Sequence, residues 1–192
     1  MIPTAIFLDR DGTINYDYGY LGDKDKVEIL PGVIEGMLKL QKNFPGIYFI
    51  VISNQAGVAR GIISLEQVEE VNGRIKQILE GNGIKISKFY YCPFHPEFSS
   101  EDESKCRKPA PQMLIEAAKD FNFNLGSTYF IGDRFSDVEC GHNAKTKTIL
   151  LKSDIYSDEE TILAQKGINP DFVAENFLDA TNYILSEANG GN

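Results

Sequence analysis

Cysteine, histidine and long apolar runs are all scarce in this chain, and acids outnumber bases. The cysteines number three, odd for a chain of 192 residues. That argues against a disulfide framework and for a reducing, cytoplasmic setting. No apolar run approaches the roughly 20 residues of a membrane-spanning helix, and the N-terminus has neither the basic segment nor the apolar core of a signal peptide. A soluble protein without a membrane partner is expected. The formal net charge of -9 repels phosphate backbones and argues against a nucleic-acid partner. Small phosphorylated ligands stay compatible with it, because a metal or a local cation cluster can reverse the field inside one cleft. With only two histidines, an ion would have to be held by oxygen.

What is present centres on Ile6 to Ile14. A hydrophobic strand starting near Thr4 runs into Asp9 and Asp11, followed by Gly12. Side chains two apart on an extended segment point the same way, so both carboxylates can converge just past the strand's carboxyl end. Open α/β sheets bind ligands there. A plain strand-to-loop turn uses the same residue types, so the other strand ends must decide.

Strand-like and helix-like patterns alternate along the chain. Strands are expected at Thr4 to Leu8, Tyr48 to Ser53, Lys88 to Cys92, Thr128 to Ile131 and Thr146 to Leu151, with a sixth at Phe172 to Ala174. Helices are expected at Pro31 to Phe44, Ser64 to Glu80, Pro111 to Phe121, in a short stretch before Thr146, after Ser157, and at Phe177 to Glu187. Ser64 and Gln67 stand at capping-box spacing, and Val68, Val71, Ile75 and Leu79 form one stripe behind them. Such alternation implies an α/β, Rossmann-like fold, with a mainly parallel sheet and helices on both faces. Residues 1–188 read as one domain and 189–192 as a frayed tail.

In such a sheet every strand's carboxyl end lies on one edge, and complementary groups do collect there. The second strand ends in Ser53-Asn54-Gln55-Ala56-Gly57, a hydroxyl followed by a turn whose N–H groups suit phosphate oxygens. Arg107 and Lys108 precede a helix whose amino end favours an anion. The fourth strand ends in Gly132-Asp133-Arg134-Phe135-Ser136-Asp137. Each piece alone could be a capped turn or a surface pair. Together, carboxylates, a hydroxyl and cations without clustered histidines suit Mg2+ and phosphoryl transfer to a carboxylate nucleophile.

Asp9-x-Asp11-Gly12-Thr13, Ser53-Asn54, Lys108 and Gly132-Asp133-x-x-x-Asp137 follow the order of four motifs in the haloacid dehalogenase-like phosphatases, which the chain resembles. More narrowly, Ser53-Asn54-Gln55-x-Gly57, Cys92-Pro93-x-His95-Pro96 and Cys106-Arg107-Lys108-Pro109 resemble the branch of heptose 1,7-bisphosphate and histidinol phosphatases. Asn15-x-Asp17-x-Gly19-Tyr20 and Ala59-Arg60-Gly61 are closer to the heptose enzymes, and Gly132-Asp133-Arg134 to the histidinol ones.

The resemblance implies roles. Asp9 is the nucleophile, and Asp11 the acid toward the leaving oxygen and then the base for water. Ser53, Asn54 and Lys108 hold the transferring phosphoryl group. Mg2+ sits on Asp9, the Asp11 carbonyl and Asp133, while Asp137 orients that set. Asp17, Tyr18, Gly19, Tyr20, Arg60, Arg107 and Arg134 contact the substrate, a small phosphorylated sugar. A cytoplasmic monomer is expected, acting, by the resemblance, on the route to nucleotide-activated heptose. Many relatives carry an inserted cap domain, and the gaps here are too short for one, so a capless site roofed by loops is expected.

Relatives also hold the 93–109 loop with zinc on Cys-x-His and Cys-x-Cys. Here Phe94 and Ser104 replace two of those ligands, so no structural zinc is expected. Cys92 and Cys106 then read as remnants with free thiols, the loop being held by packing of Tyr91, Phe94 and Phe98. The expected function is removal of the C7 phosphate of a heptose 1,7-bisphosphate. The alternatives are a histidinol-phosphate phosphatase, a polynucleotide 3'-phosphatase, which would want a basic groove, and a non-catalytic phosphosugar binder.

Overall fold

The computed structural model describes residues 2–190. Six strands form one sheet in the order β3-β2-β1-β4-β5-β6, and every neighbouring pair is parallel. In chain order these are β1 (Ala5–Leu8), α1 (Val33–Asn43), β2 (Tyr48–Asn54), α2 (Ala56–Ala59), α3 (Leu65–Gly81), β3 (Ile86–Cys92), α4 (Glu101–Ser104) and α5 (Gln112–Phe121). Then come β4 (Thr128–Gly132), α6 (Phe135–Ala144), β5 (Lys147–Leu151), α7 (Glu159–Gln165), β6 (Phe172–Ala174) and α8 (Phe177–Asn189).

The pleat divides the core in two. Ile6, Leu8, Phe49, Val51, Tyr129 and Ile131 face one side, where they meet Val71, Ile75 and Leu79 of α3 and residues of α1 and α8. Ala5, Phe7, Ile50, Ile52 and Phe130 face the other, against Met113, Leu114 and Ala117 of α5 and Cys140 and Ala144 of α6. Burial on both faces explains why these strands read as continuous apolar runs rather than alternating ones. The outer strand β3 is the exception: Ser87, Lys88 and Phe89 are partly or fully exposed, and its pairing with β2 shifts register at Phe49 and Ile50.

Two element bounds differ from the sequence expectation for clear reasons. Gly32 sits at φ 82, a left-handed position, so α1 begins after it rather than at Pro31. The predicted tail is helical through Asn189, which closes α8, while Gly191 and Asn192 lie outside the described residues. Among the described residues, the β1–β2 gap holds only a 3₁₀ turn at Lys24–Lys26 and α1, and no helix is long and apolar enough to cross a membrane.

Candidate active site

The carboxyl ends of β1, β2 and β4 and the segment leading into α5 converge on a cavity of about 560 Å³. Its floor is a set of buried charges. Asp9, one residue beyond β1, and Asp133, one residue beyond β4, come within reach of each other and of Asp137 in the first turn of α6. Two glycines make that approach possible. A Cβ on Gly12, which is held at φ +83, would lie 2.2 Å from Asp133 Oδ2, and one on Gly132 would lie 2.3 Å from Asp137 Oδ2.

Lys108 threads into this floor. Its Nζ donates to Asp9 and to the Ile52 carbonyl at 2.8 Å, and pairs with Asp137 Oδ1 at 2.6 Å. Burial alone would lower its pKa, but Asp137 and Asp9 outweigh burial and hold it raised. Asp137 also accepts from the Arg134 backbone N–H at 3.1 Å, capping α6. It is thereby locked between the helix and Lys108. Asp133 has no such support. It is 1% exposed, and both its carboxylate oxygens lack a donor. Burial first, then repulsion from Asp9 and Asp137, pushes its carboxyl up. Burial also raises Asp9, against the opposing pull of Lys108.

Asp9, Asp137 and Lys108 line the cavity, and Asp133 lies buried against Asp9 and Asp137 with both its oxygens unsatisfied. Such an arrangement costs several kcal/mol unless protons or a cation complete it. A hard divalent ion that takes oxygen ligands fits the donors, and Asp133 and the Asp9 oxygen that Lys108 leaves unpaired are the groups placed to hold it.

Asp11 points elsewhere. Arg10, fully buried, donates to it from Nε and from Nη2 at 2.8 Å, while Asn15 Nδ2 and Gln55 Nε2 donate at 2.9 and 3.1 Å. Arg10 is fixed in turn by Asn72 of α3 and by Gln55. Asn15 and Gln55 stand inside the sequence motifs without a role of their own, whereas Arg10 and Asn72 had none assigned, although an arginine between two aspartates and an asparagine on an apolar helix stripe were visible signals. Ser53 lies buried beside them and accepts from Gln55. The Asn54 side chain bonds the Lys108 backbone at both its N–H and its carbonyl, at 3.0 and 3.1 Å. It ties the β2 end to the Lys108 segment, which leaves only its backbone for a ligand.

The same tie explains a correction. Asn54 pairs in register with Cys92, so fixing Lys108 to Asn54 carries Cys106 back to Cys92, with 5.5 Å between their Cα atoms. The two cysteines form a disulfide rather than free thiols. The aromatic residues expected to hold the loop contribute unequally. Phe94 packs on the core, Phe98 is half exposed against Arg60 and His95, and the Tyr91 hydroxyl turns away to Glu69.

Around the cavity mouth the expected contacts separate into two groups. Asp17, Gly19, Tyr20, Arg107 and Arg134 line it. Arg107 Nη1 is buried without an acceptor, a vacancy suited to an anion. Tyr18 and Arg60 stay outside the wall: Tyr18 is exposed beside Tyr16, and Arg60 reaches Glu97 at 3.2 Å. A wall residue not foreseen is Tyr156, from the loop after β5.

Known proteins resemble the chain in sequence and in fold. Residues 105–180 match the family described as HAD-hydrolase-like. A D-glycero-D-manno-heptose-1,7-bisphosphate 7-phosphatase of Chlorobaculum tepidum is 36% identical over 193 residues, covering 95% of each chain. The chain belongs to the heptose-1,7-bisphosphate phosphatase family of HAD-like hydrolases. A second member, from Escherichia coli, is 37% identical over 150 residues, covering 77% of this chain and 78% of its own. The crystal structure of the family's B. bronchiseptica enzyme, complexed with magnesium and phosphate, superposes with a TM-score of 0.80 at 25% identity, covering 95% of this chain and 98% of that one.

Proposed function

We propose that this protein is a Mg2+-dependent phosphomonoesterase that removes the C7 phosphate of a heptose 1,7-bisphosphate through a phosphorylated Asp9. The observation that supports this reading most is Asp133, buried beside Asp9 with neither oxygen given a donor. Asp9, Asp133 and the Asp11 carbonyl would hold Mg2+, which would supply the charge that lets an anionic nucleophile meet an anionic phosphoryl group. The Asp9 carboxylate attacks phosphorus, and the bond to the sugar oxygen breaks as the aspartyl ester forms. Lys108, already against Asp9, and the Ser53 hydroxyl hold the equatorial oxygens. Asp11 gives its proton to the departing sugar oxygen, then takes one from the water that opens the acyl phosphate. In the free protein Arg10, Asn15 and Gln55 occupy both oxygens of the Asp11 carboxyl, so it turns from them toward the leaving oxygen to make both transfers.

The substrate assignment rests on the relatives' activities and on the two arginines, Arg107 and Arg134, that share the cavity wall with Lys108. They favour a ligand with a second anionic end over histidinol phosphate, which carries an amine instead. The reading includes a cytoplasmic monomer, although the Cys92–Cys106 bond removes the argument from cysteine for a reducing setting. It is tested by following heptose 1,7-bisphosphate by phosphorus NMR. With Mg2+, loss of the C7 resonance and retention of the C1 resonance are expected, and loss of the C1 phosphate first would overturn the assignment.

A further inference from the structure

Tyr156 lies in the loop between β5 and α7, on the same sheet edge as the site, and has no part in the chemistry above. Its hydroxyl donates to Asp17 Oδ2 at 2.8 Å, across 139 positions of sequence. The other oxygen of Asp17 accepts from the Gly19 backbone N–H at 2.7 Å, so the carboxylate shapes the 17–20 flap and the phenol anchors it. The Arg134 guanidinium lies over the Tyr156 ring, 3.5 Å from its centroid. Glu159, buried at the start of α7, takes Arg134 Nε at 3.0 Å and also caps α6 through the Phe135 N–H. Among the described residues, the Nη groups of Arg134 have no protein acceptor and stay available to the cavity. Burial and the Asp17 carboxylate push the Tyr156 phenol up to about 12, so it remains a donor at any working pH.

We propose that Tyr156 is a positioning residue for substrate selection, tethering the Asp17 flap with its hydroxyl and presenting the Arg134 guanidinium on its ring. One side chain thereby sets the spacing between a carboxylate that accepts sugar hydroxyls and a cation that takes an anionic group. The substrate side of this inference rests on the sugar-phosphate reading given above, whereas the tether is a property of the free protein.

The test uses Tyr156→Phe, which keeps the ring and removes the hydroxyl, and Tyr156→Leu, which removes both. Hydrogen exchange of the Gly19 amide is measured without ligand, and kcat and KM are measured with Mg2+ on heptose 1,7-bisphosphate and on an aryl phosphate. Losing one hydrogen bond to a charged group predicts Gly19 exchange about tenfold faster in both variants. On the bisphosphate, Tyr156→Phe raises KM about fivefold and Tyr156→Leu raises it further, with kcat held within about twofold. The loss on the aryl phosphate, which reaches neither Asp17 nor Arg134, is several times smaller. Equal losses on both substrates would assign Tyr156 to the fold or the reaction centre and overturn the proposal, as would unchanged KM. Should the wild-type protein hydrolyse the aryl phosphate but not the bisphosphate, the substrate reading fails by itself. Gly19 exchange then supports the tether if it quickens and overturns it if it does not.

Discussion

Asp133 and Arg60 were both expected to serve the site, and they sit at opposite extremes of it. Asp133 is 1% exposed, fixed at a strand end and missing a partner. Arg60 leaves a third of its side chain in solvent and pairs with Glu97, itself 61% exposed. The strands of the sheet must run parallel, so the ends of β1 and β4 cannot help bringing Asp9 and Asp133 together, while the first turn of α6 adds Asp137 and the segment before α5 adds Lys108. The rim is made by loops whose side chains choose among several partners. On the proposed reading, floor residues carry the chemistry and rim residues the selectivity, and substitutions should divide along that line.

The largest effect is expected at the nucleophile. Asp9→Asn should lower phosphate release at least about a thousandfold on every ester, with a native circular dichroism spectrum, because the amide cannot form the acyl phosphate. Comparable rates in the variant would remove Asp9 from the mechanism. Lys108→Met comes next, leaving Asp9 and Asp137 without their cation. It should cost about a hundredfold or more in rate, and about 3–5 kcal/mol in urea unfolding with chelator present. Arg60→Ala, losing an exposed pair, should cost at most about 1 kcal/mol in the same unfolding measurement.

Asp133 gives a sharper test, because its pKa makes stability depend on pH. Its folded carboxyl is pushed up to about 9, chiefly by burial. The native state thus keeps a proton that the unfolded chain has released, and stability falls as pH rises from the ordinary carboxylate range toward that value. Without metal, Tm should drop between about pH 6 and pH 8.5. Asp133→Asn should flatten that slope and raise Tm at the alkaline end by about 3 °C or more, while abolishing activity. Mg2+ should restore Tm in the wild type and not in the variant. A slope unchanged by the substitution would show that Asp133 is not the group responsible. The smallest effects belong to the rim. Arg107→Ala should raise KM for the bisphosphate about tenfold, and Arg60→Ala no more than about threefold. A reversal of that order would put Arg60, not Arg107, on the second anion.

The same division explains what could be read in advance. Apolar runs such as Phe49 to Ile52 dictate buried parallel strands, and once the strands are parallel their ends share an edge. Asp9 and Asp133 were legible for that reason, and Lys108 from its place in a cation pair just before a helix. Arg10 was not, since its meaning depends on Asn72, which reaches it from another helix. The Cys92–Cys106 bond depends on Asn54 binding the Lys108 backbone, a contact 54 residues apart that no local pattern announces. Tyr156 was not legible because its role depends on Asp17, 139 positions away, although β5 ends on the same edge as the site. Helix starts shifted where a glycine adopted a left-handed turn, as at Gly32.

The account stands or falls on one comparison: kcat/KM with Mg2+ for heptose 1,7-bisphosphate against histidinol phosphate. Both substrates meet the same floor, so the ratio isolates what Arg107, Arg134 and the Asp17 flap contribute to transition-state binding. A preference of at least about a hundredfold for the bisphosphate, roughly 2.7 kcal/mol, is the predicted result. Equal turnover, or a preference for histidinol phosphate, would contradict the assignment of those groups to a second anionic end.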